Sequence, residues 1–253
     1  MRERASVLQF SAMATDIYAA ADFYATARGM VAGRLVGERL ERLWPALGAG
    51  GCGNLAVLGL GYAAPYLDLW REAAARCVAA IPGAAGAARW PADAANRCCT
   101  VPEDALPFPD LCFDRVLLVH GVEAAENARR LLREVWRVLR DDGRLLVVAP
   151  NRAGVWALVE STPFGQGQPY SPGQIGRLLA ASLFRVERRD TALYLPPVNM
   201  RLLLRGARFW ESCGRALVPR LAGVTITEAV KDLYAAVPVR AVPRRKLALA
   251  EAA

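Results

Sequence analysis

The apolar positions of the chain change period several times, and each change predicts a change of element. Over residues 15–44, Ile17, Tyr18, Phe23, Tyr24, Met30, Val31, Leu35, Leu40 and Leu43 recur at helical spacing among polar residues, predicting one or two helices. Pro45 and the cluster Gly48-Ala49-Gly50-Gly51 stop that pattern in a turn. Short continuous apolar runs then alternate with helical patterns, as in βαβ units around a parallel sheet. Strands are predicted over 54–60, 77–81, 113–119 and 144–149, with a helix over 65–75 after the first. The helix after the third strand shows Leu131, Leu132, Val135, Val138 and Leu139 on one face, and Asp141-Asp142-Gly143 is expected to end it, glycine supplying a left-handed cap. Residues 82–102, with Gly83, Gly86 and Pro91, predict only short or irregular elements. Ser171-Pro172-Gly173-Gln174 reads as a capping box opening a helix through Ala181. Two later strand candidates, 184–195 and 224–234, bracket a segment rich in Leu, Arg and Trp over 199–221.

Composition narrows this to one globular unit. At 253 residues and 54% apolar types, the chain can bury one sizeable core. The expected organisation is an N-terminal helical extension at 1–50, an α/β domain at 51–240 and a tail at 241–253. Within the domain, 151–182 form a cap loop and helix, and 196–222 an inserted helical segment. Cysteines 52, 77, 98, 99, 112 and 213 form no C-x2-C pair, and there is a single histidine, so free thiols and no metal site are expected. No apolar run approaches the roughly 20 residues that span a bilayer. Arg2 and Arg4 precede a weakly apolar stretch ending Ala12-Met13-Ala14, but Gln9 and Ser11 interrupt it, so a cytoplasmic location is expected rather than secretion. The net charge of +8 comes from arginines spread through every segment, with lysine only at 231 and 246. Such dispersion does not predict a nucleic-acid partner.

One stretch carries a stronger signal. Leu106-Pro107-Phe108-Pro109-Asp110 is followed by Phe113-Asp114-Arg115-Val116-Leu117-Leu118-Val119-His120, and then by Leu132-Arg133-Glu134-Val135-Trp136-Arg137-Val138-Leu139-Arg140-Asp141-Asp142-Gly143. Pro150-Asn151 closes the next strand. In this order the residues resemble the class I S-adenosylmethionine-dependent methyltransferases, and especially their small-molecule, type 11 branch, across about residues 52–151. The resemblance implies an α/β, Rossmann-like seven-stranded sheet, mostly parallel, with helices on both faces and a C-terminal antiparallel strand pair. It also implies S-adenosylmethionine bound at the carboxyl ends of the strands, near the switch in strand order.

The positions implied to hold that cofactor depart from the family pattern. The first loop, Gly59-Leu60-Gly61-Tyr62-Ala63-Ala64-Pro65, keeps Gly61, but Gly59 stands where the family has an acid, and Ala63 and Pro65 where it has glycines. The second strand runs into Pro82-Gly83, neither of which offers a side-chain acceptor for ribose hydroxyls. Pro102 falls where the family often has an aspartate near the adenine, with Glu103 and Asp104 as the adjacent substitutes. The expected cofactor set is therefore Gly59, Gly61, Tyr62, Ala63, Glu103, Asp104 and His120. His120 is the candidate catalytic base, against the alternative of a histidine shaping the pocket floor, and Glu123 is a second candidate. Arg152, Trp156, Phe164 and Tyr170 are expected to form a cap on the acceptor side, or to pack over the sheet edge.

Two functions follow from this pattern. One is methyl transfer to a small or lipid-like molecule. The other is a catalytically inactive methyltransferase-fold protein that binds or regulates a partner. The segment 199–221 reads either as an amphipathic surface for a membrane or protein partner or as core packing across the sheet.

Overall fold

The computed structural model describes residues 20–45, 55–82 and 89–233, with backbone alone at 201–202. The predicted tail and the stretch at 1–14 lie outside the described residues. Seven strands form one sheet: β1 Ala56–Gly61, β2 Arg76–Pro82, β3 Cys98–Val101, β4 Phe113–Val119, β5 Leu139–Pro150, β6 Phe184–Ala192 and β7 Val224–Lys231. Their order is β3-β2-β1-β4-β5-β7-β6. The pairs from β3 to β5 are parallel, and β7 runs antiparallel between β5 and β6. This is the architecture that the resemblance implied.

The helices are α1 Ala27–Leu43, α2 Ala64–Leu67, α3 Ala128–Val138, α4 Pro172–Ala181, α5 Arg201–Arg205 and α6 Ala207–Leu217. Residues 20–25 are also helical and break from α1 at Thr26, whose hydroxyl accepts from the Gly29 amide as an N-cap. The reciprocal Ser171–Gln174 capping box opens α4 as predicted.

The sheet separates two cores of different chemistry. On one side α3 lays Leu131, Leu132, Val135 and Val138, all fully buried, against Val116, Leu118, Leu145 and Val147. On the other side α1 and the loops bring Phe23, Tyr24, Trp44, Tyr66, Trp70, Trp156 and Phe164 together. Three buried ring N–H groups there find partners: Trp44 Nε1 donates to Glu228 Oε1 (2.9 Å), Trp70 Nε1 to the Trp44 carbonyl (3.0 Å) and Trp156 Nε1 to the Leu195 carbonyl (2.6 Å). Burial pushes the Glu228 carboxyl up, but hydrogen bonds from Arg188 and Trp44, with the charges of Arg188 and Arg144, outweigh it and hold the group below the usual range.

The motif residues of the 106–140 stretch serve this scaffold. Arg137 donates to the carbonyls of Leu106 and Phe108 and to Asp110 and Glu134. Glu134 in turn accepts from the Leu106 amide (2.9 Å). Asp114 accepts from the Ala56 amide at the start of β1 and pairs with Arg140 (2.8 Å). These contacts tie the loop before β4 to α3, and β4 to β1.

Two expectations need correction. Gly143 does not cap a helix: α3 ends at Val138, and the chain is extended from Leu139 because Leu139 already pairs with Phe113, with a register shift before Arg144 meets Arg115. Amides of Leu111 and Cys112 satisfy the last carbonyls of α3 instead, at Arg137 (3.0 Å) and Val138 (2.9 Å). The helix predicted over 65–75 is regular only over Ala64–Leu67 and continues as irregular turns to residue 73. In the stretch 82–102, where only short or irregular elements are expected, the described residues include the short edge strand β3, which pairs with β2 from Ala79↔Cys98 to Pro82↔Val101.

Candidate functional site at the carboxyl ends of the strands

Strands β1 and β4 are neighbours, yet the connections that follow them lead to opposite sides of the sheet, so a crevice opens beyond their carboxyl ends. Gly61 ends β1 with φ +78°, and a Cβ there would collide with the Val119 carbonyl oxygen. The Tyr62 amide donates to that same oxygen (2.8 Å), locking the turn to the end of β4.

The next residue after β4, His120, has φ +50°, in the left-handed region that side chains other than glycine and asparagine rarely adopt. This conformation turns the imidazole into the crevice between two partners. Nδ1 lies 3.1 Å from Glu123 Oε1, and Nε2 lies 3.0 Å from the Tyr24 hydroxyl. Glu123 is only 4% exposed, and its second oxygen, Oε2, has no hydrogen-bond partner among the described residues. The Gln168 amide donates to the Glu123 main-chain carbonyl (2.9 Å), so the loop after β5 is tied to the segment that carries this carboxylate.

Tyr24 fills the rest of the space. Its ring stacks on Tyr62 (5.3 Å, 23°), and its hydroxyl also meets that of Tyr66 (2.9 Å). Phe164 packs edge-on against His120 at 4.9 Å. Burial, and then the neighbouring Tyr66, push the Tyr24 hydroxyl well above the usual tyrosine range. Burial does the same to Tyr62 and Tyr66, so all three are neutral hydrogen-bonding groups near neutral pH.

The remaining cavity, lined by Gly61, Tyr62, Pro82, His120, Glu123 and the loop residues Pro163, Gln166 and Gly167, among others, has a volume of ≈ 30 Å³. Sites for small ligands commonly measure roughly 300–1,000 Å³. Pro82 stands at the end of β2 and offers no acceptor to a ribose. In this conformation the crevice does not fit S-adenosylmethionine: a tyrosine ring fills it, and the acid expected at β2 is missing.

The residues singled out from the sequence divide accordingly. Gly61, Tyr62 and His120 meet at the crevice. Gly59 and Ala63 do not face it; a Cβ at Gly59 would approach Leu67 Cδ1 to 2.6 Å and Ala63 Cβ to 2.9 Å, so both residues serve the contact of β1 with α2. Glu103 and Asp104 are absent from the cavity wall: Glu103 accepts from the Glu126 amide (3.2 Å), and exposed Asp104 faces Arg130 at 3.7 Å. Of the cap residues, Trp156 and Phe164 are buried in the aromatic core and Arg152 is exposed. Tyr170 is half-buried against the aliphatic core, where its residue bridges Asn151. Burial raises the Tyr170 hydroxyl, and the Glu123 charge adds to it.

Tyr24 and Tyr66 are missing from the sequence-derived set. Their signal was a polar hydroxyl at two otherwise apolar positions, which helical periodicity treats as core. Among the described residues there is no cluster of three or more His, Cys, Asp or Glu able to hold a metal, and no helix long and apolar enough to cross a membrane.

The strand order, with its antiparallel β7, defines the class I methyltransferase fold. Residues 46–147 match the methyltransferase domain family of type 11. An S-adenosylmethionine-dependent methyltransferase of Thermotoga maritima superposes with TM-score 0.55 at 14% identity, over 82% of this chain and 93% of that one. An uncharacterized protein of Mycobacterium tuberculosis, Rv2003c, is 31% identical over 122 residues, which are 46% of this chain and 43% of that protein. Demethylmenaquinone methyltransferase of Thermus thermophilus is 30% identical over 107 residues, 42% of this chain and 48% of that enzyme. The chain spans less than half the length of these curated relatives.

Proposed function

We propose that the chain is an S-adenosylmethionine-dependent methyltransferase acting in the cytoplasm on a small or lipid-like acceptor, and that segment 20–25 withdraws from the crevice when ligands bind. The observation that carries this reading is the match of residues 46–147 to the methyltransferase domain, on a sheet of the class I order. Similarity to demethylmenaquinone methyltransferase favours a quinone-like acceptor.

The protein's own groups then have definite tasks. Glu123 Oε1 accepts from His120 Nδ1–H, which fixes the tautomer and leaves Nε2 free to accept a proton. Tyr24 holds that nitrogen in the closed state. Once the Tyr24 hydroxyl leaves, Nε2 faces the crevice as a base for an acceptor that must lose a proton. The loop carrying Pro163, Gln166 and Gly167 excludes water from the same space.

A second reading, a methyltransferase-fold protein that binds a partner without catalysis, is favoured by one specific observation: the crevice is already filled by Tyr24, Tyr62 and Phe164. Calorimetric titration with S-adenosylmethionine, beside a thermal-shift series with S-adenosylhomocysteine, separates the two. Micromolar binding with a raised melting temperature is expected for the enzyme. Absence of binding at millimolar cofactor would sink the methyltransferase reading and leave the second.

A further inference from the structure

The surface of α6 that faces away from the sheet has an unusual composition. Phe209 (64% exposed), Trp210 (41%), Leu217 (80%) and Leu221 (46%) are all exposed there, at the spacing of a single helical face extended into the turn that follows. Phe209 and Trp210 pack edge to face at 5.8 Å, presenting one aromatic knob. No described residue covers this stripe.

Its charge pattern is one-sided. Residues 203–221 contain four arginines, at 205, 208, 215 and 220, and a single acid, Glu211. Glu211 is turned inward, accepting from the Leu193 and Tyr194 amides at 3.1 and 2.8 Å. Arg208 and Arg215 are engaged by Glu38 and by Asp190 and Glu211. Arg205 and Arg220 have no acidic partner among the described residues. The outer surface of this helix therefore offers apolar side chains flanked by cations and no exposed carboxylate of its own.

We infer that α6 with the turn after it is an interfacial helix that docks the protein on an anionic lipid surface. Aromatic and branched apolar side chains on one face, bordered by arginines, match the headgroup boundary of a bilayer: apolar groups enter the acyl edge while guanidiniums meet lipid phosphates. The stripe lies on a convex helix, not in a groove shaped for a partner's side chain. A second copy fits this surface poorly, because an antiparallel two-fold contact would bring Arg205 of one copy toward Arg220 of the other, cation against cation. Membrane docking is independent of methyl transfer, so vesicle binding and cofactor binding can fail separately.

Co-sedimentation of the full chain with vesicles of phosphatidylglycerol and phosphatidylcholine in equal parts, against phosphatidylcholine alone, tests the inference. Binding is expected on the anionic vesicles, weakening as salt is raised. The pair Phe209→Ser with Leu217→Ser, and separately Arg205→Glu with Arg220→Glu, should each lower partitioning about tenfold or more. All four side chains are exposed, and unchanged melting curves would show that the variants fold. The inference is overturned if the anionic vesicles leave the protein in the supernatant, or if both double variants bind like the parent. It is equally overturned if vesicle binding is absent and a concentration-dependent dimer disappears in the Phe209/Leu217 pair.

Discussion

The two faces of the sheet follow different rules. The face under α3 is mainly aliphatic and regular; its leucines and valines pack over β4 and β5, and the motif residues around it bond to one another and to backbone. The face under α1 is aromatic and polar at its edges, and its residues converge on the crevice. Family resemblance is strongest on the first face and weakest on the second. Packing constrains a scaffold at every turn, whereas a ligand site can exchange one set of groups for another while the sheet stays intact.

Four changes sharpen or break this contrast. Leu132→Ala, on the aliphatic face, is expected to lower stability by about 2–5 kcal/mol in denaturant unfolding and to leave cofactor titrations unchanged. An effect on cofactor binding without one on stability would erase the distinction between the faces. Pro82→Asp places an acceptor at the end of β2 and should strengthen S-adenosylmethionine binding by about 1.5–3 kcal/mol, roughly tenfold or more by calorimetry. No gain would mean that the aromatic filling, not the missing acid, limits entry.

Glu228→Gln tests the polar edge of the aromatic face. It should reduce stability by about 1.5–3 kcal/mol at neutral pH, since the side chain loses its charge toward Arg144 and Arg188. The carboxyl is held below its ordinary value, so its contribution is complete above the unfolded carboxylate range and is lost as pH falls through the lower, folded value. The gap between parent and variant should therefore close on acidification below about pH 4.5. A gap independent of pH would assign the loss to packing. The smallest expected effect is that of Tyr24→Phe, about 0.5–1.5 kcal/mol, because the ring stays on Tyr62 and only the hydroxyl contacts to Tyr66 and His120 are removed.

Much of the scaffold was legible in the amino-acid sequence. The stretch 113–119, with its apolar run Val116–Val119, corresponds to β4, and the Ser171–Gln174 capping box opens α4, because buried parallel strands and caps have strong local signatures. Gly143 misled because glycine after a helix usually means a cap, while here the pairing of Leu139 with Phe113 draws the chain into the sheet first. Strand β3 was hidden because four edge residues carry too little periodicity to register. At the crevice, Gly61, Tyr62 and His120 were visible from their place after strands. Tyr24 was not, since its partners Tyr66 and His120 lie 42 and 96 residues away in the chain and no local pattern links them.

That separation along the chain also orders events in the making of the protein. Residues 20–25 leave the ribosome before the strands they seal, and the contact of Tyr24 with His120 cannot form until β4 has been synthesised and paired with β1. The seal is thus a non-local contact, carried by a short helical turn that Thr26 separates from α1. Such a turn can detach as a small cooperative unit while the sheet persists, so amide exchange at 20–25 would report crevice opening at a free energy below that of global unfolding.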